Sequence, residues 1–557
     1  MTTGAGPTKP RWWQDLRWIA AGLVMLLIGT LAWGLFGLFG PELPIRVARE
    51  TTYLTAPLAA DGLPDYEAAL LASYGPTPPP EENAAVMLLQ TCWPLGMEAA
   101  DLPAVCKAIG IPDTPPTDPL RLDPAKDAAA GIDAAMLHAA GEWPWTTEAL
   151  PAVAAWLTKH ETQIDRLVAA ADRPHYWLPS PSLLDGKPEM LVGVLLSDLQ
   201  GLRGVARVLG YRARWHIGEN RPAAAWRDIV AIRRLARLLA PPGRGPQFFV
   251  TQFVAIGLDA TADLATRQVL AMPGLPAEVL AAIRRDLEAL GPTVAWADGL
   301  AGERLFGVDT PVWLARRTPG GRRARMELVG GSLMDSGDAA LRTSLDWNVV
   351  LERLNACYDG LESSCRLPTH QSRVAATDAQ TRAISALLAA PGRSAWSRAG
   401  DVLLQVCSRG HRSDRVADQL LGLLAPAVSG WLKAATRNEA QLALTKTAAA
   451  LAAWQADRGA DTPPYPERLD DLVPRYLAAV PVDPFTDKPF IYERRGDGYL
   501  LASVGDNGVY DGGNDVAGWV VGGEWKDQSQ GVDRDAFDLV VRMPVPPAPA
   551  AAATSQP

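Results

Sequence analysis

Asp506, Asn507, Asp511, Asn514 and Asp515 crowd one glycine-rich stretch, DNGVYDGGNDVAG, with Asp533 and Asp535 a little further on. Carboxylates, side-chain amides and freed backbone carbonyls on such turns are hard oxygen donors, the kind calcium gathers at about 2.3–2.6 Å. The spacing is not that of an EF-hand. The competing reading is an acidic turn facing water, in which Asp and Gly serve the backbone rather than an ion.

Elsewhere the chemistry is sparse. The six histidines, His138, His160, His175, His216, His370 and His411, fall at no ligand spacing. HExxH, GxSxG, the phosphate-binding GxxxxGK(S/T) and a dinucleotide GxGxxG are all absent. The loop DRPHYWLPSPS joins His175, Tyr176, Trp177 and Ser180, and aromatics on a loop can line a ligand cleft. Its bland counterpart is a proline-rich connector laid on the body. Arg316, Arg317, Arg322, Arg323 and Arg325 flank a PGG turn, a basic loop suited to lipid headgroups, to an acidic polymer or simply to solvent. Cys92 and Cys106 bracket a loop that one disulfide would close on the oxidising side of a membrane. Cys357 and Cys365 would stand about 12 Å apart along one helix, beyond bridging reach, and are expected as buried thiols.

Three kinds of element must position these residues. Trp18 to Phe39 is an unbroken apolar run, about 33 Å long as a helix and matched to a hydrocarbon core of roughly 30 Å. Lys9, Arg11 and Arg17 precede it, and Trp12, Trp13, Trp18, Trp33, Phe36 and Phe39 cluster towards its two ends. These features predict a single-pass anchor in the cytoplasmic membrane, with residues 1–17 inside and the bulk outside. Its length and the absence of an A-x-A-like site weigh against a cleaved signal. Residues 40–82, rich in proline and turn residues, are expected as an extended linker.

From 83 to 437 apolar residues recur at three and four, which predicts a body of antiparallel helices. TTEALPAVAAWLTKHETQIDRLVAAA is expected as one helix, and the runs before and after Gly218-Glu219-Asn220 as a helical hairpin. Over 438–542 a long helix gives way to a short one near Leu469 and then to alternating runs, FIYERR, GYLLASVG and FDLVVRMP, the grammar of hairpins. Residues 543–557 read as a disordered tail. The fold class is therefore mainly α with a small α+β terminus.

Two stretches resemble known proteins. Tyr53, Leu54, Thr55, Pro57, Leu58, Asp61, Gly62, Asp65, Tyr66, Ala69 and Leu70, followed by Pro80, Glu81, Asn83, Ala84, Ala85, Val86 and Leu88, match a segment of uncharacterised single-pass membrane proteins of planctomycete-type bacteria. So does the DWNxVLxxxNxxYDxL run that begins at Asp346. Over roughly Leu442 to Asp538 the chain resembles the globular domain of the major pseudopilin of type II secretion, pseudopilin G. That likeness rests on Tyr465-Pro466, Leu469, Leu472, Val480-Pro481, Asp483-Pro484-Phe485, Pro489, Tyr492, Gly498-Tyr499, Ser503-Val504-Gly505 and Asp506-Asn507-Gly508. It implies a pseudopilin-like α+β domain. In that family the turn region can hold calcium, which implies Asp506, Asn507, Asp511, Asn514 and Asp515 as its ligands here. The anchor carries no prepilin-peptidase motif and the pseudopilin-like helix is internal, so the module reads as borrowed for stability or recognition rather than as a filament subunit.

A net charge of −9 argues against a nucleic-acid partner. The expected function is that of a membrane-anchored extracytoplasmic scaffold or interaction protein, non-enzymatic, whose partners are the bilayer and other proteins. The alternatives are a hydrolase with a site in the helical body, assembled around His175, and an accessory component of a type II secretion-like system.

Overall fold

The computed structural model describes residues 12–127, 129–184, 191, 198–316, 344–388, 404, 408–424, 427–458, 463–513 and 538–545. In chain order the helices are α1 (Trp12–Phe39), α2 (Tyr66–Ser73), α3 (Ala84–Thr91), α4 (Leu102–Ala108), α5 (Ala134–Glu142), α6 (Pro151–Lys159), α7 (Glu161–Ala170), α8 (Asp198–Gly218), α9 (Pro222–Leu239), α10 (Phe249–Leu270), α11 (Ala277–Ala289), α12 (Trp296–Ala315), α13 (Trp347–Cys365), α14 (His370–Leu388), α15 (Arg409–Leu424) and α16 (Ala427–Ala456). The strands, β1 (Val482–Asp483), β2 (Lys488–Pro489), β3 (Ile491–Arg495), β4 (Gly498–Ser503) and β5 (Leu539–Met543), all follow them. The protein is mainly α with small antiparallel sheets at its C-terminal end.

The chain divides into two compact units, each discontinuous in sequence: 1–64 with 307–357 and 381–425, and 65–306 with 358–380 and 426–557. Residues 83–437, expected as one helical body, thus contribute to both. Residues 438–542 share a unit with helices drawn from that body.

In the first unit α1 exposes Trp18, Ile19, Leu23, Met25, Leu26 and Leu27. Its side chains are described without a break from Trp18 to Thr30. Among the described residues no helix is long and apolar enough to cross a membrane. The segment after α1 is strapped to α13 by side-chain amides. Asn348 accepts from the Arg46 N–H at 2.8 Å and donates to the Pro44 carbonyl at 3.0 Å, while Asn355 donates to the Thr51 carbonyl. Trp347, Val350 and Leu354 pack with Val416 and Leu420 to form the core of this unit. Arg316, the first of the basic-loop arginines, is committed to Asp61 at 2.8 Å and to the Pro64 carbonyl at 3.0 Å. Arg317, Arg322, Arg323 and Arg325 lie outside the described residues.

The second unit opens within the stretch expected as linker, where Asp65 caps α2 by accepting from the Ala68 N–H. Asn83 and Asp133 cap α3 and α5 in the same way. The single helix expected across residues 146–171 is two, because Pro151 starts α6 and the chain bends at His160, whose ring packs on Trp156 at 4.8 Å. The expected hairpin forms from α8 and α9. Asn220 turns it at φ +55°, a conformation Asn tolerates better than most residues, and Pro222 sits at the first helical position. Gly218 lies so close to the Trp145 backbone that a Cβ there would collide with the Trp145 carbonyl.

Buried charge ties this unit together. On α9, Arg233 reaches Asp259 at 3.0 Å and Asp263 at 2.6 Å, one turn apart on α10. Thr445 and Asn438 of α16 donate to the same two carboxylates. Burial works to raise Asp259, and Arg233 and Arg237 outweigh it and hold the carboxyl low. The strands add a sheet of order β3-β4-β5, antiparallel, with Leu501 opposite both Tyr492 and Val541. Every residue of β4 is buried. Tyr499 and Leu501 join the main core, and Leu500 and Ala502 join a smaller cluster with Val540. The short helix expected near Leu469 is a 3-10 turn, Leu469–Leu472.

No Cys92–Cys106 bridge forms. Both thiols are free and buried in the main core, and burial pushes Cys92 up to about 12. Cys365 is likewise a buried free thiol.

Candidate functional site

Three loops of the second unit enclose a cavity of 570 Å³, within the size range of ligand sites. One loop runs from Ser73 to Pro79 at the end of α2, one from Pro174 to Leu178, and one from Pro241 to Phe248 between α9 and α10; Leu199, Leu238 and Leu239 form its apolar floor. The second of these loops is the stretch singled out for its aromatics, and His175, Tyr176 and Trp177 all line the cavity. Ser180 does not.

The wall carrying Trp177 is fixed by the Asn83 side chain. Its Oδ1 accepts from the Trp177 N–H at 2.9 Å and the Ala85 N–H at 3.1 Å, and its Nδ2 donates to the Trp177 carbonyl at 2.8 Å. The backbone adds a bond from Ala84 N–H to the His175 carbonyl at 2.7 Å and one from His175 N–H to the Glu82 carbonyl at 3.3 Å. A loop residue is thereby held like a short strand against the start of α3.

The opposite wall is braced from α12. Asp298 accepts from the Gly243 N–H at 2.5 Å, and its carbonyl accepts from Gln247 N–H at 2.9 Å. Glu303 accepts from Phe249 N–H at 2.8 Å, satisfying a free donor at the start of α10. Burial pushes both carboxyls up, against the pull of those hydrogen bonds. Gly302 permits the contact, since any Cβ there would strike the Gln247 backbone.

One full charge faces this largely apolar space. Arg244 is exposed, and its guanidinium donates towards His175 Nδ1 at 3.4 Å. The other ring nitrogen of His175 lies 4.0 Å from Glu82.

The remaining histidines are dispersed. His138 pairs with Glu142 at 3.3 Å on an exposed helix face. His216 lies 3.8 Å from Asp228, a distance an ion pair would use. Burial first, and then Arg221 and Arg212, push its pKa down to about 3, so the ring is neutral and the contact is not an ion pair. His370 stands between Thr436 Oγ1, 3.0 Å from Nδ1, and Asp506, 3.6 Å from Nε2. Hydroxyl, imidazole and carboxylate in line resemble a nucleophilic relay. Yet His370 is only 1 % exposed and has Phe485 edge-on at 4.7 Å, which makes the group a structural core cluster.

Of the proposed calcium residues that are described, Asn507 and Asp511 are brought together and Asp506 turns away from them. Asp506 points inward to Arg437 at 2.6 Å as well as to His370. Asn507 donates to Asp511 at 2.9 Å and accepts from Val509 N–H. Asn514, Asp515, Asp533 and Asp535 lie outside the described residues. Among the described residues no group of three or more His, Cys, Asp or Glu is placed to hold a metal. The acid that organises this turn is Asp538, which accepts from Asp511 N–H at 3.0 Å and Gly513 N–H at 2.8 Å. Nothing in its sequence surroundings marked it out, because its partners are backbone groups 25 to 27 residues away. Arg244 escaped notice for a similar reason, reading as one arginine in a proline-glycine loop, while Asn83 stood out only as part of a family resemblance and not as a wall of a cavity.

Searches against family models, curated proteins and solved structures find no match to this chain.

Proposed function

We propose that this protein is a membrane-tethered binding protein whose ligand cavity lies among the helices of its extracytoplasmic part, and that it is not an enzyme. The observation that carries this reading is the 570 Å³ cavity with rigid aromatic and proline walls, clamped by Asn83 on one side and braced by Asp298 on the other. Among the described residues, the ring of His175 at its wall has Arg244 and Glu82 as side-chain neighbours and no hydroxyl or thiol. The relay-like group around His370 is closed off, which speaks against the hydrolase alternative.

The tether is α1. Its 28 residues would extend about 42 Å. The apolar side chains described along it are exposed on all sides, as suits a helix solvated by lipid. The C-terminal segment is a pseudopilin-like module, a reading supported by a long helix that leads into a small antiparallel sheet. It serves as a recognition surface, and a role beside a secretion machine follows only if a co-assembling partner exists.

Native mass spectrometry of the full-length chain, extracted from membranes, tests the binding function. A bound small molecule should accompany the wild type and be missing from Leu238→Trp, which fills the floor. Identical masses would sink the reading. The tether fails if alkaline extraction without detergent leaves the chain in solution.

A further inference from the structure

We propose that the cavity takes a small organic anion, a carboxylate borne on a flat apolar body, with Arg244 as its counter-charge. The inference rests on reading the cavity as a binding site and adds the chemistry of its occupant.

The walls supply the body of that ligand. Tyr74, Tyr176, Trp177 and Phe248 present rings, and Leu199 and Leu238 close the floor. Such surroundings gain most from a flat hydrocarbon or heteroaromatic group, which stacks on rings and removes apolar area from water. They offer little to a polyamine, which would need convergent acceptors.

Arg244 supplies the polar end. Among the described residues no carboxylate pairs with it, and its polar contact is the 3.4 Å approach to His175 Nδ1. A guanidinium gives nothing but donors. An imidazole nitrogen at 3.4 Å satisfies it weakly and leaves the other N–H groups of the fork for a ligand. Two buried arginines of this unit are, by contrast, committed: Arg212 to Asp228 and Asp165, Arg233 to Asp259 and Asp263. Asp298 beneath the same loop spends its oxygen on Gly243 N–H. Glu82 stands at the far nitrogen of the His175 ring from Arg244. A carboxylate entering beside Arg244 therefore meets an unneutralised planar donor fork, the geometry that suits bidentate recognition. A second cationic ligand would meet repulsion.

The test compares two probes of one shape, 2-naphthoate and neutral 2-naphthamide, by equilibrium dialysis against the full-length chain in detergent, with detergent alone as the blank. Naphthoate should bind at least about tenfold tighter than the amide. Arg244→Gln should erase that preference while amide binding persists, which also shows that the variant is folded. Leu238→Trp should abolish both. Equal binding of the two probes to wild type, lost in Leu238→Trp, overturns the anion assignment and leaves the cavity standing as an apolar site. Absence of binding by either probe, or binding that survives Leu238→Trp, overturns the assignment and the binding-site reading together.

Discussion

Asn83 and Trp177, 94 residues apart, are joined by a two-way amide contact in which the Asn83 side chain both accepts from and donates to the Trp177 backbone, at 2.9 and 2.8 Å. Asn83 is buried, so removing its side chain strands backbone groups away from water. Asn83→Ala should cost about 1–3 kcal/mol, and Asn83→Asp should also destabilise because a carboxylate cannot donate to the Trp177 carbonyl. Denaturant unfolding measures the loss. Hydrogen exchange at the Trp177 amide should accelerate more than at amides of α9, and uniform acceleration would refute the clamp.

Arg233 is enclosed by Asp259 and Asp263 with no exposure to solvent. Arg233→Met should destabilise by about 3–5 kcal/mol, since Asp263 then remains buried without a counter-charge and Asp259 keeps only Arg237 at 3.0 Å. Restoring neutrality with Asp263→Asn in the same chain, which leaves Asp259 paired with Arg237, should recover part of that loss. A double variant no more stable than the single one would show that the arginine acts through packing alone.

The neutral state of His216 makes stability depend on pH. Its folded pKa, lowered to about 3, lies below the ordinary value near 6.5, so the unfolded chain takes up the proton first. Stability from this group is full above pH 6.5 and falls by about 1.4 kcal/mol per unit as pH drops from there towards 3. Unfolding followed between pH 7 and pH 5 should show a slope that His216→Gln removes. An unchanged slope would assign the effect to other groups.

Asp506 is held below its ordinary pKa because His370 and Arg437 outweigh the cost of its burial. The stability it contributes is present above about pH 4 and is lost as pH falls through its lowered folded value. Asp506→Ala should therefore lower the unfolding temperature to the same extent in calcium and in chelator. A penalty seen only with calcium present would make Asp506 a metal ligand after all.

Helix identity and hairpin pairing were legible because they depend on neighbours in sequence. The α8–α9 turn is written in Gly218, Asn220 and Pro222, and β4 in a short apolar run bounded by Gly498 and Ser503. The break at His160 was not legible, since helical periodicity runs through it and only the ring contact with Trp156 favours the bend. The aromatic loop could be flagged from His175, Tyr176 and Trp177, but its partner loops lie about 70 to 100 residues away, and no local signal says that Arg244 would close over them. The inward turn of Asp506 was hidden for the same reason. An acid in a glycine-rich run looks solvated until a helix with Arg437 is seen to lie beside it.

The register of β5 against β4 has a consequence for synthesis. Leu539 to Met543 complete the hydrogen bonding of Ser503 to Tyr499, so β4 stays an open sheet edge until the ribosome has added some forty further residues. During that interval its buried sequence, GYLLAS, is available to pair with any other nascent chain. A frameshift or protease cut before Leu539 would make that exposure permanent and would leave the fragment prone to aggregate.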